Sequence, residues 1–216
     1  MMKKCLIAAA SNWYAYTPIP GKDTCVIGVD GGYNRLAELQ IDMDLIVGDF
    51  DSMERKEIRD KKSKEKIIEL KREKDDTDTL FAIKMGLVEG CLEFHIFGGT
   101  GGRTSHTIAN MQCLAFIASK GARGFLYGKD YIMTCITKGE IHFEENRKGY
   151  ISVFSHSDIS RGVSIKGLKY ELYDSELSST FPIGVSNEFI GKKSEISVKE
   201  GILLIVYPNM KRRIEI

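Results

Sequence analysis

Three groups of acidic residues raise the question of chemistry. Leu45-Ile46-Val47 is a short apolar run of the kind that forms a buried strand, and Gly48-Asp49-Phe50-Asp51-Ser52 follows it. In extended chain, residues two apart point to the same side, so Asp49 and Asp51 face together and suit a cation. In Lys74-Asp75-Asp76-Thr77-Asp78, Asp75 and Asp78 stand three apart at the start of a helical pattern and share one face of its first turn. These are hard oxygen ligands of the sort Mg2+ takes. Either group alone reads more simply as a solvated turn or a helix cap. A third acid shifts the balance: the apolar strand Cys25-Val26-Ile27-Gly28-Val29 also ends in an acid, Asp30, followed by Gly31-Gly32. Such strands, leading into helices, put their acids at the carboxyl edge of a parallel sheet, where open α/β folds bind ligands.

A loop suited to anions stands at the same edge. Phe97-Gly98-Gly99-Thr100-Gly101-Gly102-Arg103-Thr104-Ser105-His106-Thr107 follows a strand and opens a long helix. Its four glycines let backbone amides approach a phosphate, and the helix amino end favours negative charge. Arg103 adds a planar fork that matches phosphate oxygens. The loop fits neither the Walker pattern nor the dinucleotide fingerprint, so its position argues more than its composition. His106 reads equally well as a phosphate donor or as a packed residue of the first turn. Acids for Mg2+, a glycine loop and an arginine together suit phosphoryl transfer, where positioning and charge neutralisation supply most of the catalysis. The residues alone indicate a Mg-nucleotide enzyme and leave the acceptor open.

The elements that must position these groups alternate through the first 130 residues. Strands are predicted over Lys4 to Ala9, Thr24 to Val29, Leu45 to Val47, Ile67 to Leu70, Glu93 to Phe97 and Gly124 to Tyr127. Helices are predicted over Tyr33 to Gln40, Arg55 to Lys64, Thr77 to Glu89 and Thr104 to Lys120, the last on the spacing of Ile108, Met111, Leu114, Ala115 and Ile117. That alternation predicts a parallel-sheet, Rossmann-like α/β domain over residues 1–130. From Tyr131 helical periodicity stops, and short strands are expected between Lys138-Gly139, Lys148-Gly149, Arg161-Gly162 and Glu200-Gly201. Residues 131–216 read as an all-β domain, a small β-sandwich.

Composition bounds the partners. The 216 residues carry 31 basic and 30 acidic side chains, net +1, so no bulk field draws the chain to nucleic acid or an anionic membrane. The apolar stretch after Met1-Met2-Lys3-Lys4 is too short for a signal peptide, and no run reaches a membrane span of about 20 residues. Five scattered cysteines without a C-x-x-C pair read as reduced, mostly buried thiols of a cytoplasmic protein.

Seven motifs in register resemble the thiamine pyrophosphokinase family across nearly the whole chain: Asp30-Gly31-Gly32, Asp42-Met43-Asp44, Gly48-Asp49-Phe50-Asp51-Ser52, Lys74-Asp75-Asp76-Thr77-Asp78, Gly102-Arg103-Thr104-Ser105-His106, Gly167-Leu168-Lys169-Tyr170 and Gly184-Val185-Ser186-Asn187-Glu188. The resemblance implies pyrophosphoryl transfer from ATP to thiamine, giving thiamine diphosphate and AMP, with Asp49, Asp51, Asp75 and Asp78 holding Mg2+. It implies that Asp30, Ser52, Lys74, Thr77, Gly101, Gly102, Arg103 and His106 serve the phosphates. Tyr170, Ser186 and Asn187, with Ser105, would lie at thiamine in a cleft completed by the second subunit of a homodimer. Many relatives carry Asp where this chain has Ser105, which removes one charge. A pyrophosphokinase for another heterocyclic alcohol, such as a pterin, and a non-catalytic binder of thiamine or nucleotide are the alternative readings.

Overall fold

The computed structural model describes residues 2–48, 66–69, 76–209 and 211–216. The apolar runs of the first half are strands: β1 (Lys4–Ala8), a short β2 (Thr17–Ile19), β3 (Thr24–Val29), β4 (Leu45–Gly48), β5 (Lys66–Glu69) and β6 (Glu93–Phe97). Helices α1 (Gly32–Glu38), α2 (Asp78–Val88) and α3 (Thr104–Ser119) fall where the periodicity places them. The helix expected over residues 55–64 lies outside the described residues. The described residues are mixed α/β and group into two compact units, Met1–Cys113 with Lys211–Ile216, and Leu114–Met210.

In the first unit the strands pair in parallel in the order β6-β1-β3-β4-β5. Burial runs almost unbroken along β1, β3 and β4, as it does in parallel strands covered on both faces. Thr77 caps α2, its Oγ1 accepting from the Leu80 N–H at 3.2 Å. The buried side of α3 keeps the later part of the expected stripe and departs from it at the start. Leu114, Ala115 and Ile117 are covered, together with Asn110, Cys113 and Ala118, whereas Ile108 is 49% exposed. A polar residue, Asn110, opens the buried side, so the apolar spacing began it too early.

The chain end returns to the first unit. A three-residue strand, Arg213–Glu215, pairs in parallel with β2, and Ile216 N–H donates to Ile19 O at 3.0 Å. Neither member has a sequence signal: one contains Pro18, the other is charged and three residues long.

Polar pairing also fixes β6. His95 is buried in it, and its Nε2 lies 2.9 Å from Glu93 Oε1, with Lys4 Nζ at 3.3 Å. The His95 hydrogen bond, opposed by partial burial and reinforced by the charge of a protonated His95 and then by Lys4, holds the Glu93 carboxyl at about 2 against an ordinary 4.5. The folded value lies below the unfolded one, so this stabilisation is complete above about pH 4.5 and is lost as pH falls through about 2. Glu93→Gln is therefore expected to lower stability at neutral pH by roughly 1–3 kcal/mol and to flatten the loss of stability across that acid window. Denaturant titrations of both proteins across the window check it; parallel curves would remove the role of Glu93.

The second unit is antiparallel: β7 (Arg123–Tyr127), β8 (Tyr131–Phe143), β9 (Tyr150–Ser155), β10 (Ile159–Lys166), β11 (Leu172–Ser178), β12 (Asn187–Glu188) and β13 (Ser194–Pro208). Here the expected breaks are corrected. Lys148-Gly149 does separate β8 from β9, whereas Arg161-Gly162 lies inside β10, and Lys138-Gly139 and Glu200-Gly201 lie inside two long paired strands. They face each other where the β8–β13 register shifts between Val198 and Ile202, with Lys138 at φ 44° and Gly201 at φ 86°. There β13 exchanges partners, pairing β10 up to Glu200 and β9 from Leu203. A bulge, rather than a turn, re-aims the strand.

Candidate active site

The site is built from strand ends in the first unit. Hydrogen bonding continues past the strands: Ala9 N–H donates to Phe97 O at 2.8 Å, Ser11 N–H to Gly98 O at 2.8 Å, and Asp30 N–H to Val47 O at 2.9 Å. The chain segments leaving β1, β3 and β6 are thereby held side by side at their carboxyl ends. With Thr79 of α2 and the start of α3 they enclose a cavity of about 300 Å3.

Asp30 enters this cavity from a left-handed backbone, φ 48°, a conformation Asp tolerates better than most residues. Val29 pairs with Val47, which brings Asp30 beside Gly48. A Cβ on Gly48 would stand 2.6 Å from Asp30 Oδ1, so the glycine gives the carboxylate its room. Asp30 thus sits at the end of β4, where the Asp49 segment begins. Gly48 belongs to a motif that the sequence reading used for its acids alone; the missed signal is a glycine closing a buried strand.

The glycine loop is fixed by its neighbours. Gly101 has φ 82°, and the Tyr14 hydroxyl fills the place a Cβ would take, so any side chain there is excluded twice. Asn12 Nδ2 donates to Gly101 O at 3.0 Å, and the buried Asn110 Nδ2 donates to Gly99 O at 2.8 Å. Trp13 Nε1 donates to Ala9 O at 3.1 Å, and its ring stacks on Phe97 at 5.6 Å. Gly98, Gly99 and Gly102 line the cavity, and Gly101 shapes the loop instead. Arg103 and His106 line it from the helix start, while Ser105 is exposed and is not part of the lining.

Of the acids, Asp30 and Asp78 are described, and Asp78 is the first residue of α2, beside the cavity-lining Thr79. Asp76 forms an ion pair with Lys84 at 2.7 Å. Asp49, Asp51, Ser52, Lys74 and Asp75 lie outside the described residues. Residues missed in the sequence are Ser11, Thr79 and Asn110. Ser11 had the signal used for Asp30, a polar residue just past an apolar strand.

In the second unit the side chain of Asn187 is consumed locally. Its Oδ1 accepts from Tyr170 N–H at 3.0 Å and its Nδ2 donates to Tyr170 O at 2.6 Å. Asn187 is buried and acts as a clamp, and the Tyr170 ring it positions is 62% exposed. Lys169 Nζ lies 5.8 Å from that ring's centre and pairs with Glu188 at 2.8 Å. Ser186 is exposed at φ 58°, its N–H donating to Ser152 Oγ at 3.1 Å.

The family described as "Thiamin pyrophosphokinase, catalytic domain" matches residues 19–126, and "Thiamin pyrophosphokinase, vitamin B1 binding domain" matches residues 138–203. The chain belongs to the thiamine pyrophosphokinase family. Membership makes it an ATP-dependent diphosphotransferase acting on thiamine. The thiamine pyrophosphokinase of Bacillus subtilis is 30% identical over 185 residues, 85% of this chain and 86% of the relative. The crystal structure of the Bacillus subtilis thiamine pyrophosphokinase matches at TM-score 0.84 and 27% identity, covering 97% of this chain and 100% of that one. A thiamin pyrophosphokinase family protein from Enterococcus faecalis matches at TM-score 0.79 and 26% identity over 97% and 100%. No helix among the described residues is long and apolar enough to cross a membrane.

Proposed function

We propose that pyrophosphoryl transfer from ATP to the thiamine hydroxyl takes place at the carboxyl edge of the first unit's sheet, giving AMP and thiamine diphosphate. The observation that carries this reading is one cavity lined by Asp30, the glycine loop and Arg103. A carboxylate opposite an amide-rich loop and a guanidinium is the pairing that a metal-bound polyphosphate needs. The described acids, Asp30 and Asp78, are hard oxygen donors and fit Mg2+. Asp49, Asp51, Asp75 and Asp78 would hold it, and bound Mg2+ would neutralise phosphate charge. Arg103 and Lys74 meet the charge on the leaving AMP and bridging oxygens. Ser52, Thr77, Gly101, Gly102 and His106 place the phosphates, and Thr77 has its hydroxyl proton free of the cap, where its oxygen is the acceptor. The acceptor oxygen attacks the β-phosphorus, with a neighbouring carboxylate as the acceptor of its proton.

The second unit would receive thiamine. The flat cation of thiamine suits the exposed Tyr170 ring, held by Asn187, with Ser186 as a polar contact. Tyr150, Tyr170, Tyr173, Phe181 and Ile183 are all more than half exposed, apolar side chains of the kind a homodimer with a shared site would cover. On this reading a Rossmann-like unit ending near residue 130 binds ATP, a β-sandwich binds thiamine, and the protein works in the cytoplasm. Purified protein given ATP, Mg2+ and thiamine should release AMP matched by thiamine diphosphate, with none when thiamine is omitted. ADP in place of AMP, or AMP independent of thiamine, would overturn it; sedimentation at assay concentration tests the dimer.

Ser105 stands where the resemblance implies an acid. The first turn of α3 carries no acid. If a charge there serves turnover, Ser105→Asp should raise kcat by about 3- to 10-fold, on the order of 1 kcal/mol for a charge at a helix start. An unchanged or lower kcat would show that the site works with a hydroxyl at this place.

A further inference from the structure

We infer that Cys5, Cys25 and Cys91 form a binding site for a soft, thiophilic cation, Cu(I) by its donor set, at the amino edge of the first unit's sheet. The three cysteines are far apart in sequence and come from three elements. Cys5 of β1 and Cys25 of β3 are register partners in adjacent parallel strands. Cys91 stands in the turn between α2 and β6, held by its N–H donating to Gly86 O at 2.9 Å, while the next residue, Leu92, donates to Lys3 O at 2.9 Å. The three Sγ atoms lie within 4.8 Å of one another. A trigonal ion with metal–sulfur bonds of about 2.3 Å needs sulfurs about 4.0 Å apart, so small side-chain rotations close the set.

Packing alone does not ask for this convergence. A single buried thiol serves as a small apolar filler, whereas here three sulfurs meet at one point, and Gly86 leaves space for one of them: its Cβ would stand 3.1 Å from Cys5 Sγ. Cys5 and Cys91 are fully buried and Cys25 is 8% exposed, at a cavity of about 280 Å3 that also has Met85 in its wall. That opening gives an ion a way in and offers a thioether as a further soft donor. Two of the three carboxylates in that wall are engaged: Asp44 accepts from Val26 N–H at 2.8 Å, and Glu89 pairs with Lys3 at 3.4 Å, while Asp23 is the third. Three sulfurs with a thioether at hand select Cu(I), whereas structural Zn2+ takes four Cys or His ligands. The binding step releases thiol protons to solvent and changes no oxidation state.

Reduced protein, kept free of oxygen, should take one Cu(I) per chain from a chromophoric Cu(I) chelator, and its melting temperature should rise. Cys25→Ser, at the least buried of the three, should weaken that uptake by more than about 100-fold, since even outer partners of a ligand cost up to that much. Cys135→Ser should leave it unchanged. Circular dichroism and melting of the metal-free variants establish that they are folded, and Cys91→Ala supplies an independent second loss. No uptake, uptake indifferent to both Cys25→Ser and Cys91→Ala, or displacement of Cu(I) by equimolar Zn2+ would overturn the assignment.

Discussion

Arg103→Ala is expected to lower kcat for thiamine diphosphate formation by about 100- to 1,000-fold while leaving thermal unfolding where it is. The unfolding half of this expectation follows from position. Arg103 is exposed and precedes α3, and the loop before it is held by Asn12, Asn110 and Tyr14, none of which uses the guanidinium. The rate half follows from charge. Breaking the bond to the β-phosphorus builds negative charge on the departing AMP, and a guanidinium at the cavity wall meets that charge without reorganising. Arg103→Lys separates charge from geometry. A point charge without the planar fork should recover part of the rate and leave a deficit of about 10-fold. If Arg103→Ala keeps kcat within about 3-fold of the parent, the guanidinium does not face the transferred group.

Legibility in the sequence followed the strength of local signals. β1, β3, β4 and β6 are apolar runs bounded by turns, and their limits could be read to within a residue or two. The acid ending β3 and the glycine loop after β6 then fell at one edge, because parallel strands put all their carboxyl ends on one side. Features that depend on a distant partner could not be read. The β2 pairing with residues 213–215 unites segments almost two hundred residues apart, and nothing local marks either. Asn110 carried no signal of its own, because its partner, the Gly99 carbonyl, is known only once the loop is folded. Glu200-Gly201 carried a true signal for a backbone irregularity, but sequence does not distinguish a bulge within a pair from a turn between strands. Asn187 was singled out by its motif, but the partner its amide serves, the backbone of Tyr170 seventeen residues away, has no local pattern to mark it.

The pair Asp30 and Gly48 gives a second large expected effect, and it joins the fold to the site. Asp30→Asn should reduce kcat by about 100-fold or more. Asn accepts the left-handed φ of 48° as readily as Asp, so the backbone is kept while the negative charge is lost. Gly48→Ala should cost a comparable share of kcat by another route. It removes no carboxylate, but the added methyl would stand 2.6 Å from Asp30 Oδ1 and must push that carboxylate aside. Crowding of a close-packed strand end should also lower stability by about 1–3 kcal/mol, so rates are compared well below the melting temperature. If the methyl acts through Asp30, the two changes share one cause and cannot add. The double variant should then be no slower than Asp30→Asn, a coupling of the size seen for side chains in contact. Additive losses would mean that Gly48 serves the site independently of Asp30, through the segment that follows it, and a fully active Asp30→Asn would remove Asp30 from the phosphate site.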